Sequence, residues 1–274
     1  AGYNGYTATA SPLMAKHWAA LSDYRLSLLD DQTLRYKLDR GMRGIYTAIA
    51  ADLKASVRLD TPVLAVSHDA RSATATLASG QEINADAVVV TAPLGALKNI
   101  RFQPALSAAQ QKVMADGFNC TGFKIWIKIR GHHSIVGYAP ASNIITILRS
   151  EVFLEDGTTV LVGFGPDHTR INLEDTAQAQ KILHCWLPDL EVVACTGHDW
   201  GADRWTGQTW ATPRSGQFLH GWSLFRGTGT RLRFAGADWA QGWNGVVVDG
   251  AIESGITTAR GLIQEFRGQE RTTV

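Results

Sequence analysis

Hydrophobic and polar positions along this chain follow two periods. Between residues 122 and 129 the alternation is strict: Phe123, Ile125, Ile127 and Ile129 interleave with Lys124, Trp126 and Lys128. That period of two predicts a half-buried strand. Shorter alternating runs at 62–66, 73–77 and 82–83, with a Ser79-Gly80 turn, predict a β-meander. The unbroken apolar run 87–93 reads as a strand buried on both faces, as in a parallel sheet. Short apolar stretches at 34–38, 57–59, 144–148, 159–163, 192–194 and 232–235 predict further strands. Helical spacing takes over elsewhere. Ser11 followed by Pro12 opens a helix to Leu21, and a glycine turn at 39–44 enters another that runs to Leu53. Ser107 caps a helix to Phe118, and Asn172 precedes an amphipathic one over 173–187. From Val248, the residues Val248, Ile252, Ile256, Ala259, Ile263 and Phe266 form one apolar stripe. Glycines at 250, 255 and 261 weaken that helix, which predicts close packing against something flat.

Strands and helices thus intermingle, and the fold class expected is mixed α/β. The most informative block is the last strand, turn and helix. Leu232 to Ala235 is the strand, and Gly236 to Gly245 is a glycine-punctuated turn with one acid, Asp238, and two tryptophans. A helix N-terminus follows. Free N–H groups and the positive end of the helix dipole make such a turn a good holder for an electron-rich ligand. The same pattern equally describes an ordinary βα unit that uses glycine for turning.

Composition narrows the classes. The 274 residues are 45% hydrophobic and 19% charged, enough for one large or two modest folded units. A net charge of +1 gives no electrostatic case for nucleic acid or an anionic membrane as partner. Cys120, Cys185 and Cys195 lack metal-ligand spacing and read as reduced thiols, so no metal is expected. No apolar run is long enough to span a bilayer and no signal peptide is visible, which favours the cytoplasm.

The run Gly-Ala-Asp-Trp-Ala-Gln-Gly-Trp-Asn-Gly at 236–245, followed by Asp-Gly-Ala-Ile-Glu-Ser-Gly at 249–255, closely resembles the C-terminal flavin motif of the FAD-dependent amine oxidases. These are the monoamine, polyamine, L-amino-acid and hydroxynicotine oxidases, and the match is strongest to the bacterial nicotine-type branch. The resemblance extends upstream. Asp39-Arg-Gly-Met-Arg-Gly44 is similar to the family's Gly-Gly-Met-Gly stretch, with arginines at 40 and 43 for two family glycines. It implies FAD-domain segments over 39–113 and 204–274 and substrate-domain segments over 1–38 and 114–203, the latter a mixed sheet flanked by helices. It implies FAD-contacting positions at Val63, Pro93, Trp200, Gly236, Asp238, Gly245, Val247 and Val248. The Val63 backbone would meet the adenine end, Asp238 the ribityl or ribose hydroxyls, and the N–H groups of Val247 and Val248 the N1–O2 edge. Lys124 would hold a water at flavin N5, although an amphipathic strand also carries plain surface lysines. Trp210 would wall the path of the amine.

Two departures and one absence follow. The mammalian enzymes link flavin to a cysteine where this chain has Thr209, so FAD is expected to be non-covalent. Their second cage aromatic falls near 246–248, where this chain has valines. No Gly-x-Gly-x-x-Gly occurs among the 27 glycines, so the pyrophosphate cradle is expected on a second polypeptide or a removed upstream segment. The resemblance therefore implies an FAD-dependent amine oxidase, or its C-terminal chain, using O2 and a small amine or amino-acid substrate. Against it stands a non-catalytic subunit that keeps the fold and binds a partner chain. An amino-acid substrate would need a cation for its carboxylate, and the sequence does not say which arginine points inward.

Overall fold

The computed structural model describes residues 5–25, 27–28, 35–226, 231–240 and 247–272, with side chains for all of these except 222 and 269–272. The alternating run forms β6 (Phe123–Arg130), an interior strand of an antiparallel sheet that also holds β7 (Val136–Tyr138), β8 (Ile147–Phe153), β9 (Thr158–Gly165) and β10 (Val192–Thr196). Their order is β10-β6-β9-β8-β7. Period two decides the faces. Ile125, Ile127 and Ile129 are fully buried, together with Leu148, Leu161 and the Leu183 side chain of helix Thr176–His184. That helix is capped by Asp175, whose carboxylate accepts the Gln178 N–H, rather than by Asn172.

A second core lies around two smaller sheets. β1 (Val63–His68), β2 (Ala73–Leu77), β3 (Glu82–Ala85) and β5 (Arg101–Gln103) form one, in the order β3-β2-β1-β5. The meander expected from the alternation is its antiparallel part, while β5 joins β1 in parallel. β4 (Val88–Val90) and β11 (Leu232–Phe234) form a two-stranded parallel pair. Phe225, Phe234 and Trp239 fill this core, with Met14 of α1 (Pro12–Leu21) and Val113 of the helix Ala108–Asp116. Ser107 caps the latter in a full capping box with Gln110.

Several expectations are corrected. No strand forms at 57–59. The chain turns there, with Asp60 at φ 50° and the Thr61 hydroxyl donating to the Leu59 carbonyl, so no neighbour can pair with it. Residues 35–38 are not a strand, and Leu34 lies outside the described residues. β8 starts at Ile147 rather than 144, and the short strands β5 and β7 have no clear period. The C-terminal helix, Val248–Thr272, is present, but its apolar stripe does not face the chain's own core. Ile252, Ile256 and Ile263 are 43%, 47% and 48% exposed. A side chain added at Gly255 or Gly261 would meet nothing within 4 Å, so neither glycine serves close packing inside this chain. The helix Gly41–Asp52 is likewise formed without a buried residue. Among the described residues no helix is long and apolar enough to cross a membrane.

Candidate functional site

The face of the five-stranded sheet opposite the isoleucines is polar and aromatic. Register places Lys124 beside Phe164 and Trp126 beside Val162, with Ile147 and Arg149 one strand further. The Lys124 ammonium lies over the Trp126 ring at 4.4 Å and over the Phe164 ring at 5.8 Å, distances at which a ring face attracts a cation. Burial holds the Lys124 pKa below the ordinary lysine value, with the Glu151 carboxylate pulling the other way. Phe164 in turn meets Trp210, ring centroids 5.8 Å apart and tilted by 53°. Phe164, which sequence reasoning passed over, is therefore the link between the two expected catalytic residues. Its signal was available, because it alternates with Leu161 and Gly163 at the end of an expected strand. Lys128 instead reaches the exposed Asp156 at 2.6 Å, as a surface lysine does.

Trp210 leads into a second cluster. Two residues earlier, the Gln208 side chain is buried and bridges two backbone segments. Its Nε2 donates to Asp238 Oδ2 at 2.9 Å, and its Oε1 accepts the Gly95 N–H at 2.8 Å. Asp238 Oδ2 also accepts the Leu94 N–H at 2.8 Å, at the start of the short helix Leu94–Leu97 that Pro93 caps. Only glycine fits at 95, where an added Cβ would stand 2.6 Å from the carbonyls of Thr206 and Gly207. The strand Leu232–Phe234 feeds this cluster from below. Gly236 turns the chain at φ +130°, and its N–H donates to Ser254 of the C-terminal helix. The Asp238 carboxyl is packed closely enough that burial pushes its pKa up to about 6, although part of the residue stays accessible.

The remaining expected positions fall as follows. Pro93 precedes Leu94, whose N–H meets Asp238, and Gly236 lies two residues before Asp238 in the chain. Val63 opens β1 and packs against the second core. Val247 is exposed and Val248 begins the helix, with the Ala251 N–H bonding the Val247 carbonyl. The Asp249 carboxylate accepts the Gly250 N–H there, so one N-terminal donor of the helix is already engaged. Gly245 lies outside the described residues. Trp200 sits apart on an exposed loop, 49% accessible, with its ring 4.2 Å from that of His198. Thr209 holds the Cys120 carbonyl through its hydroxyl at 2.9 Å and its N–H at 3.3 Å.

This donor set fits the ring and ribityl end of a flavin. A partly accessible carboxylate suits hydroxyl donors, the turn at Gly236 presents backbone, and the aromatic row beyond offers flat walls. Among the described residues it contains no cradle for a pyrophosphate.

Comparison with known proteins agrees. The family model for flavin containing amine oxidoreductase matches residues 3–263. Pseudooxynicotine dehydrogenase from Pseudomonas sp is 34% identical over 272 residues, covering 98% of this chain and 54% of that protein. The (S)-6-hydroxynicotine oxidase of Paenarthrobacter nicotinovorans is 27% identical, over 72% of this chain and 46% of its own length. A structure of putrescine oxidase, a triple mutant redesigned in cofactor binding, superposes with a TM-score of 0.77 at 22% identity, over 96% of this chain and 62% of its own. This chain thus spans about half the length of the curated relatives it matches. With the motif, the fold and the matched residues all in agreement, the chain belongs to the flavin-containing amine oxidoreductases, whose cofactor is FAD.

Proposed function

We propose that this chain carries the substrate chamber and the flavin-ring end of an FAD-dependent amine oxidase. The observation that carries the reading is an unbroken series of contacts, Lys124 to Phe164 to Trp210, continuing two residues away through Gln208 to Asp238. It joins the substrate-side sheet to the flavin-side turn. The flavin would supply the electron chemistry, accepting a hydride from the C–H bond of the carbon that bears the amine, with the two electrons passing on to oxygen, which with two protons leaves as hydrogen peroxide. The chain's own residues bind and orient. Trp210 presents a π face along which an unprotonated amine lines up. Lys124, whose pKa burial lowers, would hold a water hydrogen-bonded at flavin N5. Asp238 accepts hydroxyl donors of the cofactor chain. The imine leaves the protein to be hydrolysed. Thr209 offers no thiol for a covalent link.

The pyrophosphate cradle comes from outside these 274 residues, on a second polypeptide or an upstream segment. Two features support this. A two-stranded parallel pair is an unusual end state, since parallel strands are normally covered on both faces. The helices Gly41–Asp52 and Val248–Thr272 each turn apolar residues outward, among them Met42, Tyr46, Ile49, Ile252, Ile256 and Ile263. The names of the relatives favour a nicotine-derived amine as substrate and the cytoplasm remains the expected location.

Flavin content and reducibility test the reading. Residues 1–274 alone should come through gel filtration without stoichiometric FAD, whereas the whole protein should be yellow and release its flavin into the supernatant on acid precipitation. Anaerobic addition of amine should bleach that colour, and air should restore it with formation of peroxide. A bound flavin that no amine bleaches would overturn the proposal.

A further inference from the structure

One charged group lies on the chamber face and takes no part in the series above. β8 contains a bulge. Its register slips between Ser150 and Val152, and the extra residue is Glu151. Two residues apart on one strand, Arg149 and Glu151 share a side, and the Arg149 Nη2 lies 3.3 Å from the Glu151 carboxylate. Both side chains are largely buried, 22% exposed for Arg149 and 14% for Glu151. Lys37 closes on the same carboxylate from the segment before the helix Gly41–Asp52. Lys37, Lys124 and Arg149 thus face a single acid, and all three other charges bear on Lys124. Glu151 is already claimed by two cations and is poorly placed to take a substrate ammonium as well. The surplus is of donors. One of them is specific: Arg149 Nε is buried and has no hydrogen-bond partner among the described residues. A buried charged donor without an acceptor is costly, so such a group is expected to find one.

We propose that Arg149 is a specificity-determining residue that holds an acceptor oxygen, carboxylate or carbonyl, at the end of the substrate remote from the reacting amine. The registers put Arg149 two strands from Trp126, roughly 10 Å across the sheet, with Lys124 two residues along β6. A substrate of about six heavy atoms in its chain spans that interval. Glu151, itself held by Lys37, keeps the guanidinium in place through Nη2, which leaves Nε for the ligand. The inference rests on the amine-oxidase reading for the fate of the amine, but the binding preference stands apart from turnover.

Equilibrium titration of the whole, FAD-loaded protein, followed by tryptophan fluorescence, separates the two. Hexylamine, 6-aminohexanoate and 6-aminohexanamide serve as probes. Wild type should bind the acceptor-bearing probes about 10- to 100-fold more tightly than hexylamine. Arg149→Met should bind all three alike. Arg149→Lys, which keeps the charge without the planar fork, should retain part of the carboxylate preference and lose that for the amide. A preference for 6-aminohexanoate alone identifies the acceptor as a carboxylate, and one shared by the amide identifies a carbonyl. Wild type that binds hexylamine as well as the others, or binds neither acceptor-bearing probe, overturns the inference and leaves Nε to a water. So does Arg149→Met with its preference intact. If Arg149→Met does not fold, wild type and Arg149→Lys decide. A lost preference together with a flavin that no amine bleaches would keep the inference and end the oxidase reading.

Discussion

The five-stranded sheet and the region around the parallel pair use the same kinds of residue to different ends. In the sheet, isoleucines at 125, 127 and 129 are fully buried, and the opposite face of the same strand is partly covered by its own aromatics. Around the pair β4 and β11, isoleucines at 252, 256 and 263 stand nearly half exposed on a helix of 25 residues. One region is complete with what the chain contains. The other leaves the apolar residues of two helices exposed. An apolar period therefore shows that a face will be buried, and leaves open whether this chain buries it.

The largest effect expected is on the complete side. Ile127→Ala removes a fully buried side chain from the middle of β6, and should cost about 2–5 kcal/mol in urea unfolding. A loss below 1 kcal/mol would mean that the sheet core is loose and the contrast false. The opposite face of the same strand should respond in chemistry instead. Lys124→Met keeps the length and removes the charge and donors beside Trp126 and Phe164. It should leave folding nearly unchanged and raise the barrier by about 2–4 kcal/mol, read as a slower half-reaction in stopped-flow work on the flavin-loaded protein. Slowing only with oxygen assigns the water to reoxidation, and slowing in both halves assigns it to orienting the reduced edge. Wild-type rates in both would make Lys124 a surface lysine.

Asp238 should give a smaller effect with a definite sign. Its carboxyl titrates near 6 in the folded chain against an ordinary value of 3.8, so the folded state holds its proton longer than the unfolded one. Stability from this group is therefore full below about pH 4, falls as pH rises to about 6, and is level above. Asp238→Asn keeps an oxygen for the Leu94 N–H and Gln208 and removes the titration. Variant and wild type should melt alike at pH 4, with the variant ahead by about 1–3 kcal/mol at pH 7.5. Parallel pH profiles for the two would show that the carboxyl is less desolvated than its packing implies.

Elements on both sides were legible in the sequence. On the complete side β6 follows from its strict alternation, and on the other α1 follows from Ser11-Pro12 and the helix Ala108–Asp116 from its Ser107 cap. The site was legible in parts. Lys124, Trp210 and Asp238 could be named, but not what joins them. Phe164 connects the first two only because β9 pairs with β6 in one register, and Gln208 reaches Asp238 across 30 residues of sequence. The bulge at Glu151 was illegible for a physical reason: it breaks the alternation that sequence reading relies on. The false strand at 57–59 had apolar residues and no partner to pair with.

The smallest effect expected is on the exposed side, where it discriminates most. Ile256 stands at 47% exposure in the apolar stripe of the C-terminal helix, with no Cβ contact awaiting its neighbour Gly255. Ile256→Gln exchanges an apolar surface for a polar one at little cost in helix propensity. In the 274-residue chain, urea unfolding should move by no more than about 0.5 kcal/mol, and any self-association seen by sedimentation should weaken, because the exposed stripe is the surface that drives it. In the whole protein, where the stripe would be covered, the same substitution should cost about 1.5–3 kcal/mol, the value of burying an isoleucine. The difference between the two backgrounds is the measurement. A loss of 2 kcal/mol already in the short chain would show that the helix packs on the chain's own core. No loss in either background would show that nothing covers the stripe, and the two regions would then differ only in how well they are packed.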